Sequence, residues 1–121
     1  MVVLVIAITS VIIYISMTIA GNSEIFRISS NNKYDSVLYE RDAGATTNLS
    51  YQISIIKKGS NLSNKQGNIF ICEFNEKFDL SFIVMNWKND NKLTIEYRNV
   101  GITIFKKVEN WNDVKIEYLV K

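Results

Sequence analysis

Hydrophobic and polar positions divide the chain into two parts with different patterns. Val2 to Ala20 is apolar apart from four Ser and Thr residues, and the first charged residue is Glu24. Folded as a helix, these nineteen residues would span about 28 Å, close to the roughly 30 Å thickness of a bilayer's hydrocarbon core. The pattern predicts a transmembrane helix within residues 1–22, followed by one small domain over residues 23–121.

Beyond residue 23 apolar and polar residues alternate with a period of two, which is typical of β-strands that bury one face. Gly, Asn, Asp and Ser fill the intervals, as expected for turns in a chain without proline. The predicted strands cover residues 24–28, 34–41, 51–55, 69–74, 78–87, 93–98, 102–105 and 114–118. We therefore expect an all-β domain of seven to eight short strands, arranged as an antiparallel sandwich, a barrel or a curled meander. The longest loop, Lys57 to Gly67, is expected to be mobile.

A cleaved signal peptide is the main alternative to a retained anchor. Signal peptides normally have a basic segment before an apolar region of about 7–15 residues. Here no basic side chain precedes the run, and Thr18-Ile19-Ala20 is a poor small-x-small cleavage site. No cysteine ends the run, which excludes a lipoprotein anchor. A buried helix of a soluble fold is a third interpretation, and the retained anchor or uncleaved signal is favoured over both.

Two opposing arguments bear on which side of the membrane the domain faces. Arg27 and Lys33 are the first basic residues after the run, and the positive-inside rule would place them in the cytoplasm. A first span after a short tail usually acts as a signal-anchor, and the domain that follows is exported largely regardless of charge. We expect a single-pass protein of the cell membrane with its β-domain on the extracytoplasmic side.

Composition excludes several function classes. The net charge of +2 and the scattered basic residues do not favour nucleic-acid binding. The chain has no histidine and one cysteine, which removes Ser-His and Cys-His nucleophile pairs, an internal disulfide and most zinc and copper sites. No paired-carboxylate signature is present either. We therefore expect a non-enzymatic protein without a metal or cofactor.

The segment Glu40 to Thr47 holds the main candidate binding residues. It joins two predicted strands and contains Gly44, small residues and polar side chains. Arg41, Asp42, Thr46 and Thr47 could hold a polar or anionic ligand. The structural alternative is a corner in which Asp42 caps the loop and the threonine hydroxyls satisfy backbone amides.

Two tryptophans and the single cysteine complete the candidates. Trp111 lies in a polar turn and is a candidate surface for binding sugar or peptide, whereas Trp87 ends an apolar strand and is expected in the core. Cys72 shares a strand face with Phe70 and Phe74, so we interpret it as a small core residue.

Several of these segments together resemble an uncharacterised family of small bacterial proteins, mostly with one N-terminal span. The similarity rests on Lys33-Tyr34, Arg41-Asp42-Ala43-Gly44-Ala45-Thr46-Thr47, Ser54 to Lys57, and Gly67 to Phe70. The Gly-Ala-Thr-Thr core is its most specific element. Relatives often have a cysteine where this chain has Ala43, so a role for that cysteine does not apply here. The resemblance implies architecture and location, and no known activity.

These observations lead to a functional expectation with one alternative. The protein is expected to be a membrane-anchored envelope module that binds a protein, peptide or wall-associated ligand. The alternative is a small regulator or immunity protein whose span contacts an integral membrane partner.

Overall fold

The computed structural model describes residues 21–42 and 49–121, which form nine β-strands and one short 3-10 turn. The prediction of an all-β domain is confirmed. Residues 1–20, the predicted transmembrane helix, lie outside the described residues. Within those described, no helix is long and apolar enough to cross a bilayer.

Five antiparallel strands form the first sheet, sheet A, in the order β1-β2-β3-β4-β7. Their bounds are β1 Gly21–Ser29, β2 Tyr34–Asp42, β3 Ser50–Lys57, β4 Phe70–Phe74 and β7 Ile102–Lys107. One strand face meets the core and the other faces outward, as the alternating sequence requires. A bulge at Ile25 shifts the register of β1 against β2 between Glu24 and Phe26.

Four strands form the second sheet, sheet B, in the order β5-β6-β9-β8. Their bounds are β5 Ile83–Asn89, β6 Lys92–Tyr97, β8 Asn110–Trp111 and β9 Val114–Val120. The expected fully antiparallel arrangement is wrong here, because β6 and β9 run parallel from Lys92↔Lys115 to Tyr97↔Val120. The chain leaves β6, crosses to sheet A as β7 and returns, which supplies the crossover that a parallel pair needs. The predicted strand number is also too low, because β8 has two residues and falls in a predicted turn.

The predicted strand over residues 78–87 begins too early. Leu80–Phe82 is a 3-10 turn whose N-cap, Asp79, accepts a hydrogen bond from the Ser81 amide at 2.8 Å. The alternating aromatic residues that suggested a strand instead pack as a cluster, with Phe78 stacked on Tyr51 at 4.1 Å between ring centroids. Phe78 and Phe82 contact the core, whereas Leu80 between them is exposed, so the period of two over residues 78–82 does not mark a strand.

Apolar side chains from the facing surfaces of both sheets form one core. Sheet A contributes residues such as Leu38, Ile53 and Phe70, and sheet B contributes Leu93 and Ile95, each nearly or completely buried. Cys72 is fully buried in this core, in agreement with its interpretation as a core residue. Burial raises the pKa of its thiol to about 12, so the reactive thiolate is not formed near neutral pH.

The segment between β3 and β4, which we call the outer segment, lies across the outer face of sheet A. The Lys65 carbonyl accepts a hydrogen bond from the Tyr39 hydroxyl at 3.2 Å, and the Gly67 amide donates to Gln52 Oε1 at 2.6 Å. Tyr39 is fully buried as a result. Polar side chains of β2 and β3 therefore hold the end of the loop Lys57–Gly67 against sheet A, and its mobility stays a prediction.

The sandwich has two ends that carry different connections. At the near end, where β1 begins, Gly21 pairs with Asp42 and Phe74 pairs with Ile102. At the far end lie the turns β1–β2, β5–β6 and β8–β9. The indole Nε1 of Trp87 donates to the Ile28 carbonyl at 3.1 Å, which fixes sheet B on sheet A near the far end.

Candidate functional site

Arg41 lies at the near end and is held in a hydrogen-bond network. Its Nη1 donates to Asn22 Oδ1 at 2.8 Å and to Asn64 Oδ1 at 3.2 Å. Asn22 in turn donates to the carbonyls of Ser63 at 2.9 Å and Lys65 at 2.7 Å. These contacts fasten the outer segment to β1 and β2, which gives Arg41 a structural role.

The remaining candidates of the same motif are described only in part. Asp42 is the last residue of β2, pairs with Gly21 and has an exposed side chain. Thr46 and Thr47 lie outside the described residues.

Trp111 lies at the far end, in an aromatic group of three rings. Tyr34 stacks on Trp87, with ring centroids 6.1 Å apart and 17° between planes. Trp111 meets the same tyrosine edge-on, at 5.6 Å and 76°. Both geometries are favourable for aromatic pairs. Because Trp87 also donates to Ser36 Oγ at 3.1 Å, it anchors the group, whereas half-buried Trp111 forms its outer member.

A carboxylate beside these rings, in the β8–β9 turn, accepts hydrogen bonds from donors in two other turns. Asp113 accepts hydrogen bonds from the Tyr34 hydroxyl at 2.5 Å, Lys33 Nζ at 3.0 Å and Asn91 Nδ2 at 3.0 Å. The bond from Tyr34, followed by that from Lys33, lowers the pKa of Asp113 below its ordinary value. The same bonds raise the pKa of Tyr34 and of Lys33. Near neutral pH all three groups therefore keep their ordinary charge states.

A second carboxylate, that of Asp90, joins the β5–β6 turn to the β1–β2 turn. Asp90 accepts a hydrogen bond from the Asn32 amide at 2.8 Å, and this bond is the largest cause that lowers its pKa. At the turn of β8 and β9, Asn112 has a φ of 49°, a left-handed conformation that asparagine tolerates better than most residues. We call the surface formed by Lys33, Tyr34, Asn91, Trp111 and Asp113 the far-end rim.

The far-end rim is suited to binding rather than to proton transfer. It combines an aromatic ring with a carboxylate, an amide and an ammonium group, which can stack on and hydrogen-bond a polar ligand. A general acid or base works best with a pKa near the operating pH, and the lowered pKa of Asp113 lies far from neutrality. In the described part of the chain no group of acidic or cysteine side chains is arranged to hold a metal ion.

The described candidate residues do not converge on one site. Tyr34, which contacts Trp111, and Arg41 stand at opposite ends of β2, about 23 Å apart at roughly 3.3 Å per residue. Sequence reasoning identified Trp111 but treated Asn91 and Asp113 as ordinary turn residues. In the sequence, the feature that pointed to this surface was a tryptophan within an Asn/Asp-rich turn. Only the packing of the two sheets shows that the β1–β2 and β5–β6 turns lie beside it.

Comparison with protein-family models, with curated proteins and with solved structures gives no match to this chain. The resemblance to a family of single-span bacterial proteins stays a prediction.

Proposed function

We propose that the protein is a non-enzymatic, membrane-anchored module of the bacterial envelope, which presents its far-end rim to a protein, peptide or wall-associated ligand. The observation that carries the proposal is the placement of the rim relative to the chain's uncharged segment. The apolar run ends at Ala20, directly before β1 begins at Gly21, and the rim lies beyond the last residue of β1. Nine residues of extended strand separate them by about 26 Å, at roughly 3.3 Å per residue.

The rigidity of the rim supports a role in binding. Its residues come from three hairpin turns that hydrogen bonds hold together across the two sheets. A preorganised surface loses less conformational entropy when a ligand binds than a mobile loop does. The side chains of Lys33 and Asp113 are nevertheless about half exposed, at 51% and 44%, and so remain accessible to a ligand.

Affinity capture with matched variants tests the proposed ligand surface. Full-length protein with a C-terminal tag would be cross-linked in membranes, solubilised in detergent and recovered, and its sedimentation with purified peptidoglycan measured. The tag follows β9, which ends towards the near end, and so leaves the rim open. Trp111→Ala should lose the cross-linked partner or the sedimentation, whereas Phe105→Ala, which removes another exposed aromatic ring, should retain it. Retention by a folded Trp111→Ala variant would refute the rim as the binding surface.

Reporter fusions test the proposed location. A C-terminal alkaline phosphatase should be active and a C-terminal fluorescent protein dark if the domain is extracytoplasmic. The reverse pattern would refute this orientation. Replacing residues 1–20 by an unrelated span should preserve ligand capture, and loss of capture would favour the regulator or immunity alternative instead.

A further inference from the structure

Exposed apolar side chains are concentrated towards the near end of the sandwich. Four of them lie in loops or strand ends there, with exposed fractions of 41% for Leu49, 62% for Leu80, 65% for Val100 and 55% for Val120. Among the described residues, the turns of the far end contain no large exposed hydrophobic side chain. Their residues are almost all Asn, Asp, Ser and Lys. The two ends therefore differ sharply in polarity.

An apolar groove continues this surface along one side of the sandwich. It lies between the edge strands β1 and β5, has a volume of about 180 Å³, and is lined by Phe26, Leu38, Leu80, Ile83, Val84 and Met85. Ligand pockets are usually about 300–1,000 Å³, so the groove is too small for a typical cofactor or drug-sized ligand. Its size suits a few methylene groups that enter from an adjoining apolar surface.

We propose that the near end, with the Leu80 side of this groove, rests on the bilayer surface and inserts Leu80 and Val100 into its interfacial layer. This inference rests on the proposed membrane anchor. In the sequence the apolar run ends at Ala20 and β1 begins at the next residue, Gly21. A chain that leaves the bilayer at that point brings the near end against the lipid headgroups, where a soluble partner or a second copy has little room.

Charge at this end indicates an apolar rather than an electrostatic contact. Arg98 pairs with Glu76 and stacks over the Phe82 ring at 4.6 Å, and Lys121 pairs with Glu96. Both cations already have carboxylate partners, and Lys77 is a single further cation in the loop after β4. The described residues of this end therefore form no unpaired basic cluster of the kind that attracts anionic lipids. We expect the contact to form on neutral lipid and to depend little on salt.

Fluorescence quenching in vesicles tests the contact on the full chain. Leu80→Cys and the far-end control Asn110→Cys would each carry a small polarity-sensitive fluorophore, with the buried Cys72 left in place. The proteins would be reconstituted in phosphatidylcholine vesicles with acyl-chain nitroxide lipid as one quencher and aqueous iodide as the other. The label at position 80 should be quenched by nitroxide lipid and shielded from iodide, and the label at position 110 should behave oppositely.

Each other outcome overturns the inference in a distinguishable way. A label at position 80 that iodide reaches, on protein that stays with the vesicles through alkaline carbonate, refutes the contact and leaves the anchor intact. Shielding from iodide without quenching by lipid means that protein covers the surface. Loss of the protein from the vesicles refutes both proposals.

A charge substitution gives a second measure of the same contact. Val100→Asp would be introduced into the labelled Leu80→Cys protein. It should lower the equilibrium constant for contact between the near end and the bilayer by about tenfold, the effect expected from removing one buried aliphatic contact. Lys88→Asp, on exposed β5 surface towards the far end, should leave quenching unchanged. Equal quenching in all three proteins would refute the apolar contact.

Discussion

Replacing Asp35 by Asn should destabilise the domain more than any exposed carboxylate substitution. The side chain of Asp35 is 3% exposed. It accepts hydrogen bonds from Ser29 Oγ at 2.5 Å, Arg27 Nη1 at 2.9 Å and the Gly59 amide at 3.0 Å. The carboxylate thus ties β1, β2 and the outer segment together, and an amide nitrogen in its place would face donors.

The expected loss is about 3 kcal/mol in the free energy of unfolding, at the lower end of the range for breaking a buried ion pair. The lower end applies because Arg27 is 24% exposed and keeps Glu24 at 2.7 Å as a second partner. Chemical unfolding of the full chain in a mild detergent, followed by tryptophan fluorescence, measures this loss. Asp79→Asn is the matched control, because that exposed carboxylate accepts one local bond and should matter much less.

The pH dependence provides an independent check. Burial raises the pKa of Asp35, but the bonds from Ser29, Gly59 and Arg27 outweigh it and hold the pKa below the unfolded value of 3.8. Between those two values the unfolded chain binds a proton and the folded chain does not. The contribution of Asp35 to stability is therefore complete above about pH 5 and is lost as the pH falls through about 4 and below the folded pKa. The difference between wild type and Asp35→Asn should shrink over that interval.

Two results would refute this reasoning. One is an Asp35→Asn protein within about 0.5 kcal/mol of wild type, the range of ordinary surface substitutions. The other is a difference from wild type that stays constant down to the acid range, because a purely steric effect of the amide would not titrate.

Three further substitutions or reactions give sharp outcomes. In denaturant unfolding, Gly67→Ala should lower the free energy of unfolding more than Gly59→Ala does. A Cβ at position 67 would lie 2.9 Å from two backbone carbonyl oxygens, whereas a Cβ at position 59 would meet open space and be strained only by the positive φ. Equal losses would contradict the packing of the outer segment. Cys72 should react with a thiol-specific reagent near neutral pH only at the rate of unfolding, since burial raises its pKa to about 12, and rapid reaction of folded protein would show that its core is open. Tyr34→Phe should raise the pKa of Asp113 towards its ordinary value in an NMR titration, because the tyrosine bond is the largest cause that lowers it; an unchanged pKa would show that the bond is not formed.

Local pattern predicted the strands well and their partners poorly. Alternation at residues 93–98 corresponds to β6 at Lys92–Tyr97, because one face of that strand meets the core and the side-chain period is two. The alternation of apolar and polar residues does not indicate that β6 pairs in parallel with β9. That pairing depends on contacts between residues more than twenty positions apart, which a local pattern does not encode.

The candidate site was predictable only where one residue carried its own signal. Trp111 is unusual in a polar turn, and the structure places it on the far-end rim beside Tyr34. Two partners of Asp113, Lys33 and Tyr34, are 80 and 79 positions away, so only the packing of the two sheets identifies them. Arg41 had an equally clear local motif, but its described bonds hold the outer segment in place.

The parallel pair also sets the order in which the domain can fold. Strand β9 lies between β6 and β8, so sheet B stays divided until residues 114–120 are available. A chain that emerges N-terminus first can form the β1–β2 and β2–β3 hairpins early, because these are local. The apolar inner face of those strands then stays exposed until sheet B forms, and the pairing of strands that are distant in the sequence is slow. The growing domain is consequently prone to aggregation until β9 has been synthesised. Folding should be completed only after that strand is available.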